Sequence, residues 1–93
     1  MQSMPEAQTS DVLVFPTEFP IKVMGKTQPG FAQTMLELVL KHAPDYQADK
    51  MEMRASREGH YLSLTFTIRA ESRAQLDALY WDISAHPMVK MAL

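Results

Sequence analysis

The chain has 93 residues, of which 46% are hydrophobic and 22% are charged, values typical of an ordinary globular protein. Its length allows one domain, and its formal net charge of −2 provides no attractive field for phosphate backbones, which argues against nucleic acid as a partner. Cysteine is absent, which excludes disulfides, thiolate nucleophiles and Cys-based metal sites and is compatible with a reducing cytoplasm.

The N-terminal segment is polar and shows no periodicity, so we predict a disordered tail over residues 1–11 and one domain over residues 12–93. This segment also lacks the charged and apolar regions of a signal peptide. No stretch of the chain approaches the ~20 apolar residues that a membrane helix needs. The sequence therefore predicts a cytoplasmic protein that does not bind membranes.

The first ordered segment contains Pro16 and Pro20, which lack amide donors. We therefore expect an extended segment that cannot form a central strand until after Pro20, with the first strand over residues 19–24. From residue 28 or 29 onwards the apolar residues recur at helical spacing. This spacing predicts a helix over residues 29–43 with a proline in its first turn. Pro44 would end that helix.

A hairpin follows the first helix. Alternation of apolar and polar residues predicts strands over residues 50–56 and 61–70, joined by a turn that contains Gly59. Ser72 suits the N-cap of a second helix over residues 73–85, in which we expect Trp81 to be partly buried beside the core stripe. The last residues, MVKMAL, predict a short final strand.

The order of these elements is β-α-β-β-α-β. With right-handed crossovers it predicts an α+β fold, the ferredoxin-like sandwich, in which a four-stranded antiparallel sheet of order 4-1-3-2 carries both helices on one face. The side chains expected to face the helices are those of Phe19, Ile21, Val23, Leu62, Leu64, Phe66 and Ile68.

The other sheet face is expected to stay open. It would carry Lys22, Met24, Ser63, Thr65 and Thr67. RNA-binding sheets of this topology carry stacking aromatic residues at the central positions, and the hydroxyl side chains found here argue against RNA. Because the sheet would also have unpaired edge strands, self-association through an edge or through the open face is expected.

The residues between the first strand and the first helix include a Gly-Lys-Thr run, which invites comparison with a phosphate-binding loop. No glycine lies five residues before Gly25, as such a loop requires. However, the free amides of a helix N-terminus attract anions, and Lys26 could assist them. We therefore predict a ligand site at Gly25, Lys26, Thr27 and Gly30, and the alternative that the loop only starts the helix stays open.

Other polar residues suggest no catalytic set. The three histidines show neither metal-ligand spacing nor an evident Ser or Asp partner, so no metal, cofactor or catalytic residue is predicted. The helix carboxylates, Asp82 among them, are interpreted as solvated charge. Most methionines suit core packing, but Met24 and one register of Met51 and Met53 could present an adaptable apolar contact surface.

The chain closely resembles the YbeD-like family of small uncharacterised bacterial proteins, on the segments FPTEFPIKVMG, KHAP, GHYLSLTFTI and MVKMAL. This resemblance covers residues 13–93 and implies a ferredoxin-like fold similar to the ACT regulatory domains, which bind amino acids at dimer interfaces. The first loop of ACT domains often reads Asp-x-Pro-Gly-apolar. Here Pro29, Gly30 and Phe31 match that pattern, whereas Thr27 occupies the acidic position.

Two functions are compatible with this reading. The leading hypothesis is a non-enzymatic ACT-like module, a homodimer that binds a small metabolite or amino acid at the first loop or regulates a protein partner. The alternative is an enzyme of the acylphosphatase type, which shares the topology but needs a loop arginine to hold phosphate and an asparagine to place water. The loop offers Lys26 and no arginine, and the chain contains no asparagine, so the module is preferred.

Overall fold

A computed structural model describes residues 13–93 of the chain. The elements are strand β1 (Thr17–Lys26), helix α1 (Phe31–His42), strand β2 (Glu52–Ala55), strand β3 (Tyr61–Ala70), helix α2 (Arg73–Ala85) and strand β4 (Val89–Ala92). A short 3-10 helix, Ala48–Lys50, precedes β2. The predicted element order is confirmed, and the predicted tail over residues 1–11 lies outside the described residues.

The four strands form one antiparallel sheet of order β2-β3-β1-β4, which is the predicted order counted from the opposite edge. The central pair is β1 with β3, which runs from Thr17 opposite Ala70 to Lys26 opposite Tyr61. Both β2 and β4 are shorter and lie at the edges. The ferredoxin-like prediction is therefore confirmed.

The core lies between the helices and one face of the sheet. On the central strands, Ile21, Val23, Leu64, Phe66 and Ile68 are each 1% exposed or less, as their alternation predicts. The helices contribute Phe31, Met35, Val39, Leu76, Leu79 and Ile83 to the same cluster. Burial of these side chains provides the main favourable free energy of folding.

Pro20 lies inside the central strand β1, opposite Thr67 of β3, so the expectation that a central strand begins only after Pro20 is wrong. Lys22 exchanges backbone hydrogen bonds of 3.0 and 2.8 Å with Leu93, on the β4 side of the strand. Because residues two apart in a strand point their backbone groups the same way, the Pro20 nitrogen also faces that side. Among residues 13–93, no strand residue lies opposite Pro20 on that side, so the missing donor breaks no hydrogen bond of the described sheet.

Helix α1 begins at Phe31, two residues later than predicted. The reason is Gly30, which occupies the N-cap position with φ of 83°, in the left-handed region that a helix cannot include. The preceding proline therefore lies in a turn rather than in the first helical turn. Helix α2 starts as predicted, because the Ser72 Oγ accepts a 3.1 Å hydrogen bond from the Gln75 amide.

Trp81 is 75% exposed, so its predicted partial burial is wrong. Helix α2 turns Leu79 and Ile83 towards the core, where both are fully buried. Each residue of an α-helix is rotated by roughly 100° from the one before, which places Trp81 roughly 200° away from each of them. Its ring consequently lies on the outer side of the helix.

A polar cluster joins the two helices. The Asp82 carboxylate accepts a 3.2 Å hydrogen bond from Lys41 Nζ and lies 2.6 Å from His42 Nε2. The Gln75 side-chain amide also donates to the His42 carbonyl at 2.8 Å. The Asp82 side chain is only 27% exposed, so its interpretation as a solvated charge is wrong. Sequence alone does not show that the C-terminal turn of α1 packs beside α2.

Gly25 of β1 is closely packed against its neighbours. A Cβ atom there would lie 2.4 Å from the Met88 carbonyl oxygen and 2.8 Å from the Phe31 ring. We expect Gly25→Ala to lower the free energy of unfolding, measured in urea, by about 1–3 kcal/mol because of this overlap. Gly59→Asn is the control, since its position is open and asparagine tolerates a φ of 79°. Unchanged stability of Gly25→Ala would contradict this packing.

The helix-joining cluster predicts a pH dependence. The hydrogen bond with His42 and then that with Lys41 lower the pKa of Asp82 from its ordinary value of 3.8. The charged carboxylate therefore stabilises the fold above the unfolded pKa, and this contribution is lost as pH falls through the lower folded pKa.

We therefore expect Asp82→Asn to be less stable than the wild type near neutral pH, with a difference that shrinks below about pH 4. Urea unfolding at a series of pH values measures this difference. Asp77→Asn removes an equal charge from an exposed position of the same helix and should not reproduce the trend. A difference between Asp82→Asn and the wild type that is constant with pH would contradict the expectation.

Candidate functional site

The predicted binding loop starts at the end of β1 and lies against the turn between β2 and β3. The Thr27 amide donates to the His60 carbonyl at 2.9 Å, and the Thr27 hydroxyl donates to the Gly59 carbonyl at 2.6 Å. These two bonds join the loop to the hairpin turn. Together the two segments form one end of the sheet.

The structure separates the four predicted ligand residues into two groups. Lys26 and Thr27 lie beside the hairpin turn, where Lys26 is exposed. Gly25 is buried against the core, and Gly30 lies at the start of α1 with nothing within 4 Å of the position of a Cβ atom. Packing explains Gly25 and backbone conformation explains Gly30, while the ligand role of all four residues stays a prediction.

Two shallow depressions meet at Tyr61 on this end of the molecule. The first is lined by Lys26, Thr27, Gly59, His60 and Tyr61. The second has a cavity volume of about 200 Å³ and is lined by Met24, Arg54, Ala55, Ser56, Tyr61, Leu62 and Ser63. A molecule that lies over Tyr61 would contact both depressions.

The strand register places the charged and apolar side chains of this site on the same face of the sheet. Lys26 lies opposite Tyr61, while Met24 lies opposite Ser63, which in turn lies opposite Arg54. Since directly opposed residues of antiparallel strands share a face, all five point to the open side of the sheet. Two cations therefore border an apolar floor of methionine and tyrosine, which suits a small anion with an apolar body.

The positive charges of this site lie on the exposed side chains of Lys26 and Arg54. None of the ion pairs found among residues 13–93 uses Lys26 or Arg54. The ion pair in the neighbouring hairpin turn is loose. His60 Nδ1 lies 4.0 Å from the Glu58 carboxylate, and both side chains are exposed. An incoming anion would therefore meet positive charge that is still available.

The hairpin turn holds Tyr61 in place. The Tyr61 amide donates to Ser56 Oγ at 3.1 Å, and the Tyr61 carbonyl accepts a hydrogen bond from the Ser56 amide at 2.9 Å. Sequence reasoning missed both Tyr61 and Arg54 as site residues. Neither belongs to the loop, and only the register of β1 with β3 and of β3 with β2 brings them near Lys26.

The described residues show neither a metal-binding cluster nor a membrane-spanning helix. Among residues 13–93, no three His, Asp or Glu side chains are grouped so that they could hold a metal ion. In that part of the chain, no helix has both the length and the apolar character needed to cross a membrane.

The sequence is similar to bacterial proteins along nearly all of its length. A family model described as "Protein of unknown function (DUF493)" matches residues 10–93. A UPF0250 protein of Bordetella pertussis is 48% identical over 93 residues, which are 100% of both chains. A UPF0250 protein of Nitrosomonas europaea is 52% identical over 82 residues, which are 88% of this chain and 94% of that protein.

The fold is similar to the solution structure of protein HP0495 from H. pylori. The TM-score is 0.73 at 16% sequence identity, and the match covers 100% of this chain and 98% of that chain. At this identity the likeness supports the fold alone. It agrees with the ferredoxin-like topology described above.

Proposed function

This chain belongs to the DUF493 family, in line with its resemblance to the YbeD-like proteins, and we propose that it is a non-enzymatic, ACT-like binding or regulatory module of the cytoplasm. In this proposal the protein acts as a homodimer. Its ligand is a small metabolite that carries a carboxylate, amino acids included, and regulation of a protein partner follows from binding that ligand.

The observation that carries the proposal is that Met24 and Tyr61 lie beside the cations Lys26 and Arg54 on the open sheet face. A carboxylate would accept hydrogen bonds from the Lys26 ammonium or the Arg54 guanidinium. The apolar part of the same molecule would lie on the tyrosine ring and the flexible methionine side chain, which adapts to different shapes.

Affinity should be modest because the depression is open. A ligand of roughly ten non-hydrogen atoms that gains roughly 0.5 kcal/mol per atom would bind with a dissociation constant on the order of 0.2 mM. Such a value suits a sensor that responds to changes in metabolite concentration. A screen must therefore use millimolar ligand.

The comparison with ACT loops suggests which end of the ligand to expect at this site. ACT loops often carry an acidic residue where this chain has Thr27, and the Thr27 hydroxyl already donates to the Gly59 carbonyl at 2.6 Å. The loop over residues 25–30 contains no carboxylate that could receive an ammonium group. We therefore propose recognition through the carboxylate of the ligand, with Lys26 as its principal partner.

A thermal-melt screen against amino acids and carboxylate metabolites tests this site. At about 25 times its dissociation constant a ligand stabilises the fold by about 2 kcal/mol, which raises the melting temperature of so small a domain by several degrees. We expect Lys26→Ala to abolish the shift. Lys90→Ala, which removes an exposed lysine of β4 outside both depressions, should keep it.

Three results would contradict the proposal. A screen in which no compound raises the melting temperature would rule out a small-metabolite ligand. Direct regulation of a protein partner would then be the remaining function of the module. A shift of equal size in the wild type and in Lys26→Ala would place the ligand elsewhere. Turnover of an acyl phosphate that is lost in Lys26→Ala would overturn the non-enzymatic assignment and support the acylphosphatase alternative.

A further inference from the structure

Strand β2 forms one edge of the sheet, and all of its residues, Glu52–Ala55, are exposed. On its inner side it pairs with β3, from Glu52 opposite Thr65 to Ala55 opposite Leu62. On its outer side no strand among residues 13–93 covers it. An edge of this kind presents a row of backbone donors and acceptors to another chain.

Hydrogen bonds of the hairpin identify the outward-facing groups. The Ser56 amide donates to the Tyr61 carbonyl at 2.9 Å, so the backbone groups of Ser56 face β3. Because these groups alternate along a strand, those of Arg54 also face β3, whereas those of Met53 and Ala55 point away from the sheet. Met53 therefore offers both an N–H and a C=O to a neighbouring chain.

The side chains of residues 51–55 alternate in the order apolar, acidic, apolar, basic, apolar. This order is self-complementary, because reversing it exchanges the acid with the base. We infer that two copies of the chain pair antiparallel through β2, about a two-fold axis that passes through Met53. The inference rests on the homodimer of the proposed function and names its contact surface.

Backbone geometry fits this pairing. Met53 would exchange both of its outward hydrogen bonds with Met53 of the second copy. The Ala55 amide would donate to the Met51 carbonyl of the second copy, on the same outer row. The Met51 amide would not bond to the second copy, because it already donates to the Ala48 carbonyl of its own chain at 3.2 Å. The two sheets would become one continuous sheet.

Side-chain chemistry also fits. On the open face, Glu52 would lie directly opposite Arg54 of the second copy, and the symmetry would create this pair twice. Neither residue takes part in the ion pairs found among residues 13–93. On the helix face, Met53, which is 53% exposed, would pack against its own copy, with Met51 opposite Ala55 on either side.

The charges also select this register over its neighbours. An axis through Glu52 would place Glu52 opposite Glu52 and Arg54 opposite Lys50. An axis through Arg54 would place Arg54 opposite Arg54. Both alternatives bring like charges together, which is unfavourable for directly opposed residues. The other edge strand, β4, carries one charge, Lys90, and offers no such opposite-charge pair.

Sedimentation equilibrium over a concentration series tests the inference. We expect the wild type to dimerise and each single change, Glu52→Arg or Arg54→Glu, to raise the dimer dissociation constant about tenfold or more, because every attraction becomes a repulsion. The double change restores opposite charges and should return the constant to within about threefold of the wild type. Lys90→Glu on β4 is the matched control and should have little effect.

A second variant tests the backbone bonds. The Met53 amide faces outward, so Met53→Pro removes no hydrogen bond to β3 and should leave a folded monomer, as circular dichroism would show. A wild type that stays monomeric up to about 1 mM would overturn both this inference and the homodimer, yet not the ligand site. A dimer that these variants leave unchanged, or single changes that the double change does not rescue, would overturn this inference alone.

Discussion

The antiparallel pairing of β1 with β3 runs the whole length of both strands, and the other elements are positioned by it. The register puts Val23 opposite Leu64 on the buried face and Lys26 opposite Tyr61 on the open face. A slip by one residue would exchange the two faces and expose the core. The apolar interior and the candidate ligand site are therefore consequences of the same register.

The fold was predictable because its signals are local. Alternating residues in the strands, the helical spacing and the Ser72 cap determine the element order, and the crossover rules determine the topology. Pro20 and Asp82 were misjudged for reasons that lie outside their own segments, whereas Pro29 and Trp81 were misjudged within theirs. Pro20 is tolerated because β4 is short, Asp82 is paired because α1 ends beside α2, and Trp81 is turned outwards by the angle between it and the core stripe.

The candidate site was only half predictable. Lys26 and Thr27 follow from the loop, but Tyr61 and Arg54 reach the site through strand pairing. Arg54 would also join the two proposals, since it borders the ligand depression and would pair with Glu52 of a second copy. An anion that engages Arg54 would compete with this pair, so ligand binding and dimerisation would be linked, and linkage of this kind acts equally in both directions.

The register of the sheet is tested most directly by amide hydrogen exchange, measured by NMR in dilute and in concentrated protein. The Arg54 amide faces β3 and should be protected at every concentration. The Met53 and Ala55 amides face outwards and should become protected only at concentrations where the dimer forms. Exchange of Met53 and Ala55 that does not depend on concentration, or an Arg54 amide that exchanges as fast as theirs, would contradict this account.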